Sequence, residues 1–430
     1  MKVSYYNFTF DFPKDDSKHI IYNSRTNALA LLDEPQHKKY MDFLNLSLPF
    51  EDEEFIKQLK YGGYLIEDDY NELDELKFKL YCSRYSTDIL GLSIATTSKC
   101  NFGCSYCYEK NSEKFPPMNA VVQEEIVKLV KEQSKRLSNL SVCWYGGEPL
   151  MAFDVIENLS LKFLEICEEN NITYSSSIIT NGYYLTPDIY KSLMSFNVES
   201  IQVTLDGYGN EHDKRRPLLN GGGTFETILN NLCSLKEQYN SNCKIKIRIN
   251  VDKRNLDGVD KLMNVFKEKG LLEYVSPYIA KVANHNETVN SSVCYNTEDF
   301  SDLTSDFVNK YFKNGFKSMY PTLVLSYCTA DSLNGYVIDP NGNLFKCWED
   351  IGISEKCIGN IVDKTYNKDT LFNYILYSAP DDQKCKICKY LPICMGGCPK
   401  IRNLTGDERC SSAKFKLEYY LQQFVSEINN

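Results

Sequence analysis

The sequence predicts an α/β fold with a parallel sheet at its centre. First, apolar strand-like segments alternate with amphipathic helical segments between residues 88 and 290, which is the pattern of parallel sheets with helical crossovers. Second, glycines and polar residues follow these strands, at the end where parallel barrels build their sites. Third, patterned cysteines occur directly after the first strand and again near the end of the chain. We therefore expect a barrel-like central domain between two smaller modules.

Composition narrows the class of protein. The chain has 430 residues, of which 43% are hydrophobic, enough for two or three domains with sizeable cores. The net charge of −10 argues against a nucleic-acid partner, and no apolar run approaches the roughly 20 residues that span a bilayer. The N-terminal residues 1–6 do not have the character of a secretory signal, so we expect a cytoplasmic protein. Its 17 cysteines then predict metal sites rather than disulfides.

Residues 1–85 predict a small module of strands and helices without a candidate catalytic cluster. Strand-like segments are residues 4–12, 20–23, 28–32 and 64–66. Helical segments are residues 52–61, which end at two glycines, and residues 67–80.

The central region alternates strands and helices. Its predicted strands are residues 92–95, 140–144, 175–179, 200–205 and 244–250, and its clearest helices are residues 121–137 and 155–169. Because parallel strands end at the same edge of a sheet, the segments that follow them should meet there. A further helix, residues 297–312, is expected within a bridging segment, residues 291–320.

The loop after the first strand contains Cys100, Cys104 and Cys107 in a C-x3-C-x2-C pattern. Three thiolates at this spacing suit three corners of a cubane iron–sulfur cluster, and the fourth iron would stay open for a ligand. A zinc knuckle or a set of buried thiols is the alternative, although zinc sites usually use paired C-x2-C units.

With Tyr106 at its aromatic position, this loop resembles the signature of radical S-adenosylmethionine (SAM) enzymes. The resemblance implies a partial (β/α)6 TIM-like barrel and a [4Fe-4S] cluster held by the three cysteines as the catalytic centre. The open iron would chelate SAM, whose one-electron cleavage yields a 5′-deoxyadenosyl radical that abstracts hydrogen from the substrate. A reducing partner such as flavodoxin or ferredoxin would supply the electron.

The segment Gly146, Gly147, Glu148 and Pro149 resembles the G-G-E-P motif of this family, which holds the amino group of SAM. Glycines suit this role because a side chain would block close approach of the backbone.

Polar residues at three further strand ends are also candidates for SAM binding. We infer this role for Asn181, Thr204 and Asp206, with loop capping as the alternative. The segment that begins at His212 resembles the H-D-x-x-R region of the family, so Arg215, or else Arg216 or Arg248, is a candidate for the SAM carboxylate because arginine pairs well with carboxylates. A solvated basic turn is the alternative there.

The C-terminal cysteine array resembles the SPASM domain, an extension of radical SAM enzymes that mature peptides and proteins. Its seven members are Cys328, Cys347, Cys385, Cys388, Cys394, Cys398 and Cys410. The resemblance implies two auxiliary clusters and hence three [4Fe-4S] clusters in all. Cys385, Cys388, Cys394 and Cys410 would hold one of them, and Cys328, Cys347 and Cys398 would hold the other.

The second auxiliary cluster has only three obvious ligands. Cys294 or Cys357 is an alternative source of a fourth ligand. Otherwise one iron is open to a substrate thiolate, a feature of some thioether-forming maturases. Anaerobic sulfatase maturases place an aspartate directly after the residue matching Cys347, whereas this chain has Trp348 there and Asp350 two positions further on.

The sequence therefore predicts a leader-binding module (1–85), a radical SAM barrel (88–290), a bridge (291–320) and a SPASM domain (321–430). The first module resembles winged-helix peptide-recognition domains, which implies a precursor peptide whose leader adds a strand to a sheet edge. The predicted function is thioether formation in a ribosomally made, cysteine-containing peptide. Alternatives are formylglycine formation, carbon–carbon cross-linking or epimerisation, and, outside enzymes, a multi-cluster electron carrier or a zinc-stabilised binding protein.

Overall fold

A computed structural model describes the backbone of residues 1–46, 52–284, 287–404 and 410–429. The strands are β1 (Lys2–Val3), β2 (Asn7–Asp11), β3 (Lys18–Asn23), β4 (Ala28–Asp33), β5 (Leu65–Ile66), β6 (Ile89–Thr97), β7 (Asn139–Gly146), β8 (Thr173–Thr180), β9 (Val198–Thr204), β10 (Lys244–Val251), β11 (Val275–Lys281), β12 (Gly335–Ile338), β13 (Asn343–Phe345), β14 (Gly359–Asn360) and β15 (Thr365–Tyr366). The α-helices are α1 (Glu34–Leu46), α2 (Glu53–Tyr61), α3 (Glu72–Arg84), α4 (Ala120–Gln133), α5 (Phe153–Asn170), α6 (Pro187–Ser195), α7 (Asn210–Arg215), α8 (Phe225–Ser234), α9 (Leu256–Glu268), α10 (Thr297–Tyr311), α11 (Lys368–Ile375), α12 (Leu391–Cys394), α13 (Pro399–Leu404) and α14 (Ala413–Ile428).

The chain divides into two compact units. The first unit comprises residues 1–84, 296–328 and 376–430, and the second comprises residues 85–295 and 329–375. Neither unit contains, among its described residues, a helix with the length and apolar character needed to cross a membrane.

The second unit is built on a sheet with the order β11-β10-β9-β8-β7-β6-β12-β13-β14-β15. Strands β6 to β11 are all parallel to their neighbours and follow one another in chain order, with helices α4 to α9 in the connections. This confirms the predicted α/β fold with six parallel strands. The five predicted strands correspond to β6 to β10, and the sequence analysis missed β11. Pro277 lies in β11, and proline is tolerated there because β11 is an edge strand.

The core of this sheet follows from its apolar runs. Ile94, Trp144, Ile178, Ile201 and Ile247 come from five neighbouring strands, and each side chain is fully buried. Helix α5 covers the sheet with the buried face Val155, Leu159 and Phe163. Buried parallel strands are apolar on both faces, which is why the sequence predicted them.

A hairpin extends the same sheet beyond β6. Strand β12 pairs in parallel with β6 and antiparallel with β13. A turn that contains Asn341 and Gly342 joins the two strands, and Gly342 has a φ of +82°, which suits glycine.

The first unit contains the N-terminal module. Strands β2, β3 and β4 form an antiparallel sheet, and β1 pairs with β5. Ile21, Tyr40, Phe55, Leu59 and Tyr64 form one of its cores. The predicted strands and helices α2 and α3 are present, but α1 was not predicted, although Pro35 in its first turn is typical of a helix start.

Candidate active site

The cysteine loop lies at the carboxyl end of β6 and is fastened by a distant segment. The backbone N–H of Gly103 donates to the carbonyl of Pro217 at 2.8 Å, and that of Ser105 donates to Arg215 at 3.0 Å. Leu219 donates in return to Asn101 at 3.0 Å. We call residues 215–219 the clamp. The region predicted to contact the SAM carboxylate therefore also pairs with the cluster loop.

The G-G-E-P segment packs against the residues that lead into the same loop. The N–H of Gly147 donates to Thr97 at 3.0 Å, and that of Glu148 donates to Lys99 at 3.0 Å. A Cβ on Gly147 would lie 2.3 Å from the carbonyl oxygen of Lys99. Glycine is thus required here because two backbones approach each other, whatever else the motif binds.

Glu148 joins the ends of two neighbouring strands. Its fully buried carboxylate accepts hydrogen bonds from the Thr180 hydroxyl at 2.6 Å and the Asn181 N–H at 2.7 Å. Burial raises the pKa of Glu148, and these hydrogen bonds oppose the rise. The Asn181 amide in turn donates to the side-chain oxygen of Asn101 in the cluster loop at 2.8 Å. Two predicted SAM-binding residues therefore lie beside the cysteines, and their role toward SAM stays a prediction.

Tyr106 is enclosed in a buried polar network. Its hydroxyl donates to Asp206 and accepts from Arg216 at 2.8 Å and from the Asn250 amide at 3.1 Å. Asp206, which is fully buried, also accepts the backbone N–H of Asn250 at 2.9 Å. Burial raises the pKa of Tyr106 well above its usual range. Asn250 was missed as a site residue, although it ends β10 at the same edge as the other candidates.

Arg215 lies in a buried ion pair rather than on a solvated turn. Its guanidinium donates to Asp252 at 2.8 Å and lies 5.1 Å from the ring centre of Tyr106. Burial alone would raise the pKa of Asp252, but hydrogen bonds from Arg254 and Arg215 hold it well below its usual range.

The remaining candidates lie at the same strand ends. Thr204 ends β9 in register with Arg248 of β10. Arg248 donates to the side-chain oxygen of Asn250 at 2.8 Å. His212 accepts the backbone N–H of Asp206 at 3.0 Å and is fully buried, so its contact is structural.

The donor set fits an iron–sulfur cluster. Burial raises the pKa of the Cys100 thiol to about 12 and that of Cys107 to about 11, so thiolates here require a nearby cation. Burial also raises the pKa of Cys104, which the Arg216 guanidinium opposes. Iron ions would provide the missing positive charge, and the three cysteines would leave one iron for SAM. Glu109 is a further buried carboxyl group that the sequence analysis missed. Burial raises its pKa, and Lys114 lies 3.8 Å away.

An aromatic pair lies near the cluster loop. The rings of Tyr145 and Trp348 are stacked, with centres 5.3 Å apart and planes inclined by 16°. Burial raises the pKa of Tyr145 well above its usual range, and the neighbouring Cys107 and Cys347 thiols add to the rise. The pair therefore lies close to one predicted ligand of each of two clusters.

The auxiliary cysteines are distributed over both units. Cys328, Cys385, Cys388, Cys394, Cys398 and Cys410 belong to the first unit, whereas Cys347 belongs to the second. Burial raises the pKa of Cys388, and Cys394 and Cys410 add to the rise, so these three thiols are electrostatic neighbours. Three of the four cysteines predicted for one cluster are therefore close together.

Cys294 and Cys357, the alternative sources of a fourth ligand, each have contacts of their own. The Cys357 thiol donates to the Gly359 carbonyl at 3.1 Å and packs with Val337 and Phe345. Cys347 instead packs with Ala330, Tyr374 and Ile375. Cys294 lies beside Asp252 and Arg254.

These features define a class of enzyme. Residues 94–266 match the Radical SAM superfamily, and this range includes the cysteine loop, the G-G-E-P segment and most of the buried network. Residues 94–266 therefore form a Radical SAM domain, and this family implies a [4Fe-4S] cluster and SAM as cofactors.

Individual relatives refine this class. The chain is 28% identical over 355 residues to a cysteine-type anaerobic sulfatase-maturating enzyme of Clostridium novyi, covering 74% of this chain and 91% of the relative. It is 24% identical over 428 residues to the radical SAM cyclopropyl synthase TigE of Paramaledivibacter caminithermalis, covering 90% and 87%.

Solved structures show the same fold. Native anSMEcpe with bound AdoMet matches 79% of this chain and 98% of its own, with a TM-score of 0.59 and 21% identity. Streptococcus suis SuiB bound to its precursor peptide SuiA matches 96% and 98%, with a TM-score of 0.52 and 16% identity.

Proposed function

We propose that this enzyme is a maturase that installs thioether cross-links in a ribosomally made, cysteine-containing peptide. A peptide substrate is supported by the relatives, which are named as a sulfatase-maturating enzyme and as an enzyme bound to its precursor peptide. The proposal includes three [4Fe-4S] clusters, one in the barrel and two auxiliary, held by the cysteines assigned above.

The thioether assignment rests on the cysteine pattern of the second auxiliary cluster, for which the sequence offers three obvious ligands. By the resemblance, Cys328, Cys347 and Cys398 would supply three thiolates. Three ligands leave one iron available for the thiolate of a substrate cysteine, by the logic that keeps catalytic metal positions open.

The chemistry balances without a further co-substrate. When bound, the cluster and SAM supply a 5′-deoxyadenosyl radical that takes one hydrogen atom from the peptide. Each new carbon–sulfur bond also releases the thiol proton and one electron, for which an auxiliary iron–sulfur cluster is the acceptor. The product is therefore two hydrogens lighter than the substrate.

The residues of the chain have positioning roles in this scheme. The clamp and the G-G-E-P segment hold the cysteine loop from two sides. Tyr145 and Trp348 place an apolar wall near Cys107 and Cys347, which excludes water from a reactive intermediate.

We assign leader binding to the N-terminal module and, within it, to the outer edge of β4. The outer edge of β2 is already engaged, because Lys389 donates to the carbonyl of Asn7 at 3.2 Å and Gln422 donates to that of Asp11 at 2.9 Å. No strand of the described residues pairs with the outer edge of β4. An extended leader would add there through its backbone.

The remaining domain roles are also proposed. The barrel (88–290) would perform hydrogen abstraction, the bridge (291–320) would connect it to the SPASM domain (321–430), and flavodoxin or ferredoxin would supply the first electron. Thiolate ligands and low-potential clusters suit a reducing compartment, so a cytoplasmic location is proposed.

A second candidate is formylglycine formation of the sulfatase-maturase type, which is favoured by the 28% identity to a sulfatase-maturating enzyme. Against it stands Trp348, at the position where sulfatase maturases are expected to have an aspartate. Asp350 is a poor replacement because it is buried and accepts a hydrogen bond from the Tyr374 hydroxyl.

Anaerobic co-expression with a short cysteine-containing peptide encoded beside the gene, followed by mass spectrometry, tests the proposal. We expect loss of two hydrogens per modified cysteine and resistance to thiol alkylation. Loss of sulfur with gain of an aldehyde, detected with a hydrazine reagent, would instead establish the second candidate. An unchanged, alkylatable peptide would contradict both for that peptide.

A further inference from the structure

The N-terminal module contains a cluster of metal-ligating side chains that lies outside the radical SAM machinery. His19, Glu34 and His37 each offer one ligand atom, and these atoms all lie within 4.8 Å of one another. The cluster uses two of the chain's four histidines. We propose that it is a binding site for a divalent transition-metal ion of the zinc class.

Local structure explains how the three side chains come together. Helix α1 begins with a reciprocal cap, in which Asp33 and Gln36 each accept the backbone N–H of the other at 2.9 and 3.1 Å. This cap fixes the first turn, and Glu34 and His37 lie on one face of it because they are three positions apart. His19 comes from β3 and faces them from the sheet.

Asp11 completes the arrangement as an orienting group. It lies directly opposite His19 on β2, and its carboxylate is 3.1 Å from His19 Nδ1. A histidine that binds a metal through one nitrogen usually donates the other N–H to a carboxylate, which fixes the ring and its tautomer. Nε2 of His19 is then the ligand atom, and it lies 2.9 Å from Glu34.

His37 provides an independent observation. Its Nε2 is sealed from solvent and has no hydrogen-bond partner among the described residues, which is costly for a polar atom. Its ring is stacked on that of His19, with centres 3.6 Å apart.

Two imidazoles and a carboxylate are the donors that zinc accepts, with water in a fourth position. On binding, the ion would replace the direct contact between His19 Nε2 and Glu34, and any proton held between the two atoms would leave to solvent. The ion would link the β2–β3 hairpin to the start of α1, next to the end of β4.

The test uses the anaerobically reconstituted full-length protein with all clusters loaded, equilibrated with one equivalent of Zn2+. X-ray absorption at the zinc edge separates this site from vacant cluster sites, because Zn–N distances are about 2.0–2.1 Å and Zn–S distances about 2.3 Å. We expect a nitrogen and oxygen shell without sulfur. A sulfur shell, or failure to retain zinc, would overturn the proposal.

Affinity measured by competition with a chromophoric chelator provides the second readout. The double variant His19→Gln/His37→Gln should weaken binding by about 100-fold or more, and Asp11→Asn alone by about 10–100-fold. Glu53→Gln, an exposed carboxylate in the first turn of α2, is the matched control and should leave the affinity unchanged. Equal iron content and equal peptide-free SAM cleavage verify the fold of each variant, and equal zinc affinity in the double variant would refute the site.

Discussion

The cysteine loop of the barrel and the cysteine segment of the C-terminal tail are held in different ways. The loop pairs by backbone hydrogen bonds with the clamp, which lies far later in the chain, and it encloses a buried polar network around Tyr106. Within residues 385–398 most backbone hydrogen bonds form local turns, such as Cys388 to Cys385 and Gly397 to Cys394, and one long-range bond runs from Val324 to Pro392 at 2.9 Å. Apolar residues, including Leu391 and Met395, anchor that segment.

From this difference we expect the barrel loop to become ordered before iron binds and the tail to become ordered when its cluster is inserted. The barrel positions its loop through long-range contacts that do not depend on iron. The tail segment is joined to distant residues by a few hydrogen bonds, from Tyr5, Ser24 and Val324. Its turns are otherwise local, so we expect the order of the tail to depend more strongly on cluster insertion, as in other small metal-stabilised domains.

Replacement of Cys100, Cys104 and Cys107 by alanine should have the largest effect on activity and a small effect on fold. We expect complete loss of 5′-deoxyadenosine formation, measured by chromatography of anaerobic reactions with dithionite, because no residue replaces the lost ligands. The auxiliary clusters should remain detectable by iron content and by electron paramagnetic resonance. Residual SAM cleavage by the triple variant would contradict the assignment of the catalytic cluster.

Replacement of Cys394 by alanine should have the opposite effect: SAM cleavage should remain, whereas the tail should lose its order. The tail should lose iron and the first unit should lose thermal stability, since its folding is coupled to the cluster. Limited proteolysis at increasing temperature measures this, with SAM cleavage retained as the sign of an intact barrel. Cys82→Ala, which alters an exposed thiol of α3 in the same unit, is the matched control. A tail that resists proteolysis as well as the wild type would refute the coupling.

Arg216→Met tests the charge network of the loop. Removing one partner of a buried charged pair typically costs about 3–5 kcal/mol. Here the Tyr106 hydroxyl loses a charged donor, and Arg215, 3.7 Å from Asp206, is the cation that remains beside both residues. The positive charge near Cys104 favours the reduced cluster, so its loss should lower the midpoint potential, by about 59 mV for each tenfold change in the equilibrium. Redox titration followed by electron paramagnetic resonance measures the shift. Arg216→Lys should restore part of it, and equal potentials for all three proteins would exclude the electrostatic role.

Gly147→Ala isolates the backbone contact at the other side of the loop. The added Cβ would lie 2.3 Å from the Lys99 carbonyl, and we expect destabilisation of about 1–3 kcal/mol, as for overpacked cores, measured by denaturant unfolding. Gly103→Ala is the matched control, because the nearest atom to its Cβ is a Leu219 methyl group at 3.8 Å. Equal stability of the two variants would contradict the close-approach argument.

The sequence predicted those strands and loops whose residues follow a pattern over a short stretch of the chain. Strands β6 to β10 are continuous apolar runs because they are buried on both faces, and the cysteine loop and G-G-E-P segment follow them directly. Pairings between distant segments have no such pattern. The clamp, the contact of Asn250 with Tyr106, and the approach of His37 to His19 depend on tertiary structure, and residue spacing does not encode them. The i, i+3 spacing of Glu34 and His37 was the available signal, but α1 itself was not predicted.

Variants of Trp348 compare thioether formation with formylglycine formation directly, and we expect them to have the smallest effect of the variants proposed here. The Trp348 ring stacks on Tyr145 and is 36% exposed, so its free face is accessible to a peptide substrate. An aromatic pair contributes about 0.5–1.5 kcal/mol beyond its buried area, so Trp348→Ala should reduce peptide modification by about tenfold and leave peptide-free SAM cleavage unchanged. Trp348→Phe should retain most of the activity, because it keeps a ring against Tyr145. Trp348→Asp supplies the carboxylate expected of sulfatase maturases. If this variant forms formylglycine and no longer forms the cross-link, this single position separates the two chemistries. Full cross-linking activity in all three variants would show that Trp348 does not position the substrate.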